Sequence, residues 1–452
     1  MLSTCSKGTV DRNLVEGSNK NQAILLRNVN IFNGRDSSLL LNKDVLLDSG
    51  IIKAIATYLK STKEEVIEID CRGKTLMPGL IDAHVHLSGS GCVPWEKVPA
   101  DMVYNLSAYL YAGVTTVYDL GGLASDISNL SKQVETGEVI GPTIYNTHIP
   151  ITVKNSHPIP LTEEMLPAPL KRLVNIISPT IDKIEDAPQL IKNYLKHDID
   201  YVKIVCDQIP PGSPEMSFEQ LKALIDEAHK SDRKVFVHIG SPQNALDAIR
   251  AGADVLAHGV WRGRLSPSQA DTIAAANIPI IYTLAGFHNV KAIYNGEFTP
   301  SKRDQVLVPQ NILGPITGEK GKDVYHQKQM NLFFKDVVNQ SPNWLYNFQL
   351  LHQRGVTILI GTDSNLPGTY AGSTYYQEIQ TLKAFGLSNY EILTGATYLN
   401  SRIFLSAPDF GLVAEGYKAN LLLINGNPLE NIELIHEPEM ILKEGEIIQK
   451  VR

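Results

Sequence analysis

The stretch Pro78-Gly79-Leu80-Ile81-Asp82-Ala83-His84-Val85-His86 joins a run of apolar residues to two histidines that are two positions apart. Successive side chains of a β-strand alternate between its two faces, so we expect His84 and His86 to point the same way. Two imidazoles at this spacing, at the end of an apolar strand, can bind one metal ion together. The same spacing also fits two exposed or hydrogen-bonded histidines that bind no metal, so other residues are needed to distinguish the two interpretations.

Seven more apolar runs follow this strand, and helix-like segments separate several of them. The helical pattern is clearest at 217–230, behind the capping residue Ser217, and at 242–251, before Gly252. Alternating strands and helices predict an α/β fold, the (β/α)8 TIM barrel, with strands at 81–86, 115–120, 143–147, 201–205, 235–238, 254–258, 278–283 and 357–362. An open doubly wound sheet is the alternative, but no Gly-x-Gly-x-x-Gly motif follows the first strand.

The two ends of the chain have a different pattern of short strands and turns. Asn33-Gly34 and Ser49-Gly50 supply turns near the beginning, and Asn425-Gly426 supplies one near the end. Neither end alone can bury a sheet of useful size, so we predict that 23–76 and 405–452 pair into one small β-sandwich domain. Residues 1–22 are predicted to be a tail, and 77–404 to form the barrel.

The composition limits the function and the compartment. The 452 residues include 41 Lys and Arg against 48 Asp and Glu, a net charge of −7 without a basic block, which argues against nucleic-acid binding. No apolar run is long enough for a membrane span. Cys5, Cys71, Cys92 and Cys206 form no Cys-x-x-Cys pair, so we expect a reduced, cytoplasmic setting. An exported lipoprotein is the alternative, because Leu2-Ser3-Thr4-Cys5 resembles the end of a lipoprotein signal whose apolar part is missing.

Three further predicted strands end in a residue that can bind a metal. His238, His258 and Asp363 each stand where an apolar strand gives way to a loop. In a (β/α)8 barrel the carboxyl ends of the strands converge on one face, where active sites lie. One such residue would mean little, but together with His84 and His86 these residues predict a metal site.

Lys203 lies inside the apolar strand at 201–205, where a cation is costly to bury. It needs a carboxylate partner, a solvated position or a chemical change. Carboxylation by carbon dioxide is one such change, since it turns the amine into a carbamate that can bridge two cations. A snorkelling or ion-paired lysine is the alternative.

Two long connections, 148–200 and 284–356, follow the third and seventh predicted strands. Long connections in a compact domain are commonly lids or binding loops. His148 and His288 lie just beyond these two strands, and Tyr118 and Tyr282 lie near other strand ends. We therefore predict these four residues as candidate substrate contacts.

The sequence resembles the amidohydrolase superfamily, and more closely its imidazolonepropionase-related and Xaa-Pro dipeptidase-like branch. The resemblance extends over nearly the whole chain from Ala23 onward, with two departures. Relatives often carry Arg-Asp where Tyr118 precedes Asp119 here, and Ala-Asp-Leu where this chain has Ala419-Asn420-Leu421. The motifs that carry it are Pro78 to His86, Gly113-Val-Thr-Thr-Val117, Val202-Lys203, His238, Ala257-His258-Gly259, Gly361-Thr-Asp-Ser364, Gly416-Tyr-Lys-Ala-Asn-Leu421 and Asn425-Gly-Asn-Pro428.

The resemblance implies a site for two divalent metal ions. The implied ligands are His84, His86 and Asp363 for the more buried ion, His238 and His258 for the more exposed one, and a carboxylated Lys203 between them. Zinc is the default for histidine and carboxylate ligands, while manganese, cobalt and iron also fit. The two ions would lower the pKa of a shared water to yield a hydroxide nucleophile, and Asp363 would carry the proton to the leaving nitrogen.

The leading hypothesis is a metal-dependent amidohydrolase that cleaves an amide-type C–N bond of a small molecule, with a dipeptide or an N-acyl amino acid as the first choice. Hydrolysis of a lactone or a phosphotriester on the same binuclear site is the second hypothesis. A barrel that has lost catalysis and acts as a metal-binding scaffold is the third, but every implied ligand position is filled. The sequence leaves open whether the chain forms a homo-oligomer.

Overall fold

The computed structural model describes residues 13–17, 22–60, 66–317, 327–364, 366–403, 405 and 407–451. Its strands are β1 (Val15–Gly17), β2 (Ala23–Ile31), β3 (Leu40–Asp48), β4 (Ile51–Ala56), β5 (Val66–Asp70), β6 (Lys74–Pro78), β7 (Leu80–Val85), β8 (Val114–Asp119), β9 (Thr143–Asn146), β10 (Val202–Val205), β11 (Val235–His238), β12 (Val255–Ala257), β13 (Ile280–Tyr282), β14 (Ile358–Ile360), β15 (Leu421–Asn425), β16 (Met440–Lys443) and β17 (Glu446–Lys450).

The α-helices lie mostly between the middle strands. They are α1 (Met102–Tyr111), α2 (Ala124–Thr136), α3 (Ile159–Met165), α4 (Ala168–Ile177), α5 (Ala187–Tyr194), α6 (Phe218–Lys230), α7 (Pro242–Ala251), α8 (Pro267–Ala275), α9 (Leu284–Asn295), α10 (Lys302–Leu307), α11 (Gln310–Thr317), α12 (Lys328–Gln340), α13 (Trp344–His352), α14 (Ser373–Phe385), α15 (Asn389–Thr394) and α16 (Asn400–Arg402). The two helices predicted from sequence are α6, capped by the Ser217 hydroxyl, and α7, which ends at Gly252 with a φ of 100°.

Strands β7 to β14 form a parallel barrel. β7, β8 and β9 pair in order, and so do β10 to β14. Two parallel bridges join the two groups, one from Val85 to Ser364 and one from Ile151 to Ile204. Inside the barrel lie apolar side chains such as Ile81, Phe236 and Leu359. All eight predicted strands are present, so the prediction of a (β/α)8 barrel is confirmed.

The two ends of the chain build one nine-stranded sheet in the order β1-β17-β16-β15-β6-β2-β3-β4, with β5 paired to β2. The antiparallel pair of β6 and β15 joins the two ends, with Pro78 opposite Leu421. One difference from the prediction lies within the supposed tail, because Val15–Gly17 pairs with β17 at the sheet edge. Val15 is buried there, but a strand of three residues carries no periodic signal that the sequence could reveal.

No helix in the described part of the chain is both long enough and apolar enough to cross a bilayer. The lipoprotein-like segment at residues 2–5 lies outside the described residues.

Candidate active site

His84, His86 and Asp363 meet at the carboxyl end of the barrel. The Nε2 atoms of His84 and His86 lie 3.2 Å and 2.9 Å from the same Asp363 oxygen, Oδ1. His84 is buried and His86 half-buried. All three ligand atoms lie within 4.8 Å of one another, so this trio can hold a metal ion. The two histidines share a face, as the spacing in β7 predicts.

Asp82 ties β7 to the loop that carries Asp363. Its two carboxylate oxygens accept hydrogen bonds from the Thr362 backbone N–H at 3.0 Å and from the Thr362 hydroxyl at 2.7 Å, and it also accepts one from the His84 backbone N–H. Burial raises the pKa of Asp82 to about 7, although these donors oppose the rise. Asp82 therefore positions the backbone of β7 and of the loop that carries Asp363.

His238 and His258 continue the cluster across the barrel. The His258 ring lies 4.8 Å from that of His84 and 4.2 Å from that of His238. Nδ1 of His258 lies 2.8 Å from the Thr283 hydroxyl, which leaves Nε2 for a ligand. Burial holds the pKa of both His238 and His258 well below its usual value. Both imidazoles are therefore neutral at physiological pH, the form that binds metals.

Lys203 points into this group from β10. It is only 2% exposed, and its Nζ has no hydrogen-bond partner within the described residues. Burial lowers the pKa of Lys203 to about 7, and Asp363 opposes this shift. A neutral amine is therefore accessible, and it is the form that reacts with carbon dioxide. An orphaned buried amine among histidines and a carboxylate fits a carboxylated lysine between two cations.

These residues line a cavity of about 230 Å³. The rest of the lining is largely apolar, and much of it comes from the two long connections. Leu161 and Met165 come from α3, Phe287 from α9 and Phe333 from α12. The connections that follow the third and seventh barrel strands thus contribute walls of the cavity.

Glu378 on α14 holds the start of α9, since it accepts a hydrogen bond of 2.6 Å from the Ala285 backbone N–H. Burial raises the pKa of Glu378 from 4.5 to about 8, although the backbone donors Ala285 and Leu284 oppose the rise. The folded chain therefore retains a proton that the unfolded chain releases, so this group makes stability fall as the pH rises from about 4.5 to about 8.

We expect Glu378→Gln to reduce this decline in the free energy of unfolding, because glutamine does not titrate. Urea unfolding at about pH 5 and pH 8 measures the change in wild type and variant. The matched control is Glu185→Gln, at an exposed glutamate. A variant whose pH dependence equals that of the wild type would contradict the expectation.

The structure does not bring the four predicted substrate contacts into this cavity. Tyr118 stacks on Tyr145 inside the barrel, with 5.0 Å between ring centroids, and Tyr282 packs against Phe348 in the layer between barrel and helices. The His148 Nδ1 accepts a hydrogen bond from the Ala124 backbone N–H, and His288 packs against Trp344. A residue near the carboxyl end of a strand lies at the right end of the barrel. Whether its side chain reaches the cavity depends on the face of the strand from which it projects, which this position does not reveal.

Three residues near the site were missed by the sequence reasoning. His157, in the connection after β9, lines the cavity with its ring 4.9 Å from that of His238, and burial lowers its pKa to about 4. Asp207 and Arg262 lie beyond β10 and β12 and form an ion pair of 2.6 Å in which Asp207 is fully buried and Arg262 partly buried. The sequence offers one signal for Asp207. Lys203, Val205 and Asp207 alternate along the chain, as residues on one face of a strand do, but Asp207 lies beyond the end of β10.

Known proteins share this architecture. Ochratoxinase from Aspergillus niger is 21% identical over 440 residues, which cover 90% of this chain and 81% of the relative. A solved prolidase complexed with N-methylphosphonate-L-proline has a TM-score of 0.73 at 21% identity, over 95% of this chain and 100% of that one. A Xaa-Pro dipeptidase with methionine bound in its active site has a TM-score of 0.73 at 17% identity, over 94% and 99%.

These likenesses show the fold, and the family follows from a separate match. The sequence profile of the Amidohydrolase family matches residues 75–448, which include the barrel and most of the terminal strands β15 to β17. The superfamily predicted from the sequence motifs is thereby confirmed. The chain belongs to the Amidohydrolase family and is a hydrolase that acts on carbon–nitrogen bonds.

Proposed function

We propose that the site is a binuclear metal centre that hydrolyses an amide bond of a small molecule. The proposed ligands are His84, His86 and Asp363 for one ion, His238 and His258 for the other, and a carboxylated Lys203 between them. The convergence of these groups around an amine without a hydrogen-bond partner in the described chain carries the proposal. Zinc suits this donor set.

When bound, two divalent cations would activate a water and polarise the scissile carbonyl. Asp363 is the proton carrier. Burial raises the pKa of Asp363, but His258 and His86 outweigh it and hold this pKa below its usual value. The carboxylate is therefore ionised and can accept a proton, which it passes to the leaving nitrogen.

The cavity supports a small substrate with an apolar portion. Its wall of Leu161, Met165, Phe287 and Phe333 would cover an apolar side chain and exclude water from the scissile bond. A dipeptide or an N-acyl amino acid with such a side chain is our first choice.

Cys71, Cys92 and Cys206 are buried and free, which supports a reduced, cytoplasmic setting.

Metal-replete wild-type protein should hydrolyse a member of the amide class. We would assay Xaa-Pro and other dipeptides, N-acyl amino acids, lactones and an aryl phosphotriester in parallel. The expected result is turnover of an amide, because the apolar cavity encloses a centre suited to carbonyl attack. Turnover confined to the lactones or the phosphotriester would favour the second hypothesis and overturn the proposed amide substrate.

A further inference from the structure

Asp207 lies directly behind a proposed metal ligand. It follows β10, is fully buried, and places Oδ2 3.4 Å from Nε2 of His238. Within the described residues, neither Oδ2 of Asp207 nor Nε2 of His238 has a hydrogen-bond partner, so these two buried atoms face each other across this distance. With Nε2 turned toward Asp207, Nδ1 of His238 is the nitrogen left for a metal.

Arg262 extends this contact to the wall of the cavity. One guanidinium nitrogen lies 2.6 Å from Oδ1 of Asp207, and Nε lies 2.9 Å from Asp336. Nη2 donates a hydrogen bond of 2.7 Å to the backbone oxygen of Gln208. Asp336 belongs to α12, the helix that supplies Phe333 to the apolar wall. A planar guanidinium can reach these partners simultaneously, which a lysine ammonium cannot.

The charges in this chain of contacts compensate one another. A buried carboxylate is costly unless it is paired, and Arg262 is the counterion that allows Asp207 to remain buried. A carboxylate that accepts the N–H of a ligating imidazole orients the ring and makes it a better donor to the metal. Arg262 meets the first condition, and for the second, Oδ2 of Asp207 lies 3.4 Å from Nε2 of His238, with neither atom hydrogen-bonded elsewhere in the described chain.

We propose that Asp207 is a positioning residue for His238 and that Arg262 connects this ligand to α12. Asp207 fixes the orientation of the imidazole and the position of its proton, and Arg262 holds Asp207 in place. The proposal rests on the proposed binuclear centre. It adds a chain of contacts that connects the second metal position, through His238, Asp207 and Arg262, to the wall of the substrate cavity.

Asp207→Asn should weaken the binding of one of the two metal ions by about 10- to 100-fold. Metal content after dialysis against graded chelator, and the visible spectrum of the Co²⁺-loaded protein, report this loss without any substrate. The matched control is Asp226→Asn, which removes a carboxylate from an exposed pair with Lys222. It should retain both ions, and the unfolding midpoint of the metal-free variants shows whether each one is folded.

Arg262→Lys is the second variant, because it retains the positive charge but loses the branched guanidinium that contacts Asp207, Gln208 and Asp336 together. We expect a smaller loss of the same ion, so it tests the proposal even where Asp207→Asn fails to fold. A wild type that binds two ions, with variants that bind them equally well, would overturn this inference alone. A wild type that never binds two ions would overturn the proposed function and this inference with it.

Discussion

Asp363→Asn lowers the turnover of an amide substrate by about 10²- to 10⁴-fold, the range expected for the loss of a general acid–base group. The amide has nearly the shape of the carboxylate but cannot accept a proton at physiological pH. It also replaces an oxygen that both His84 and His86 contact, so we expect weaker binding of the more buried ion. The measurements are kcat on the amide found in the parallel assay and the metal content of the purified variant.

Asp198→Asn provides the control for this variant. Asp198 pairs with Lys132 on the surface, where both side chains are more than half exposed, so the same chemical change should leave kcat within about twofold. Full activity of Asp363→Asn with two bound ions would show that proton transfer runs through another group. That result would overturn the proton-transfer role of Asp363 but would not contradict the proposed metal centre.

Lys203→Met leaves the protein unable to hold two ions together and lowers turnover by roughly 10³-fold, since several kcal/mol of metal catalysis are lost. Methionine fills the buried space with an apolar chain, so the fold should survive. Metal analysis and kcat provide the readout, and Lys222→Met, at an exposed position on α6, is the matched control.

Carboxylation adds a further test of Lys203. After a chelator has removed the metal, wild-type protein should recover activity faster with metal and bicarbonate than with metal in carbon dioxide-free buffer. The cause is that the buried amine must first react with carbon dioxide before it can serve as an anionic ligand. Equal recovery in the two buffers would contradict the carbamate and would favour an unmodified Lys203.

The ligand positions could be predicted because they depend on local sequence patterns, namely where a residue stands relative to the end of its strand. The short apolar run of β11 ends in His238, and Asp363 lies in the loop just beyond the apolar run of β14. The parallel barrel gathers such strand ends on one face. The rule concerns only the order of strands along the chain, so no knowledge of distant contacts was required. The same rule failed for Tyr282, because its position along β13 was right but its face was not.

The sequence by itself determined the alternating strands and helices, the joining of the two chain ends and the group that converges on Lys203. These features follow from hydrophobic periodicity and from where each ligand-type residue stands in its strand. Only the tertiary structure decided which side chains reach the cavity and how Asp207, Arg262 and Asp336 connect. The physical reason is that these residues lie beyond their strands or on an inserted helix, where their contacts depend on packing between segments distant in the sequence.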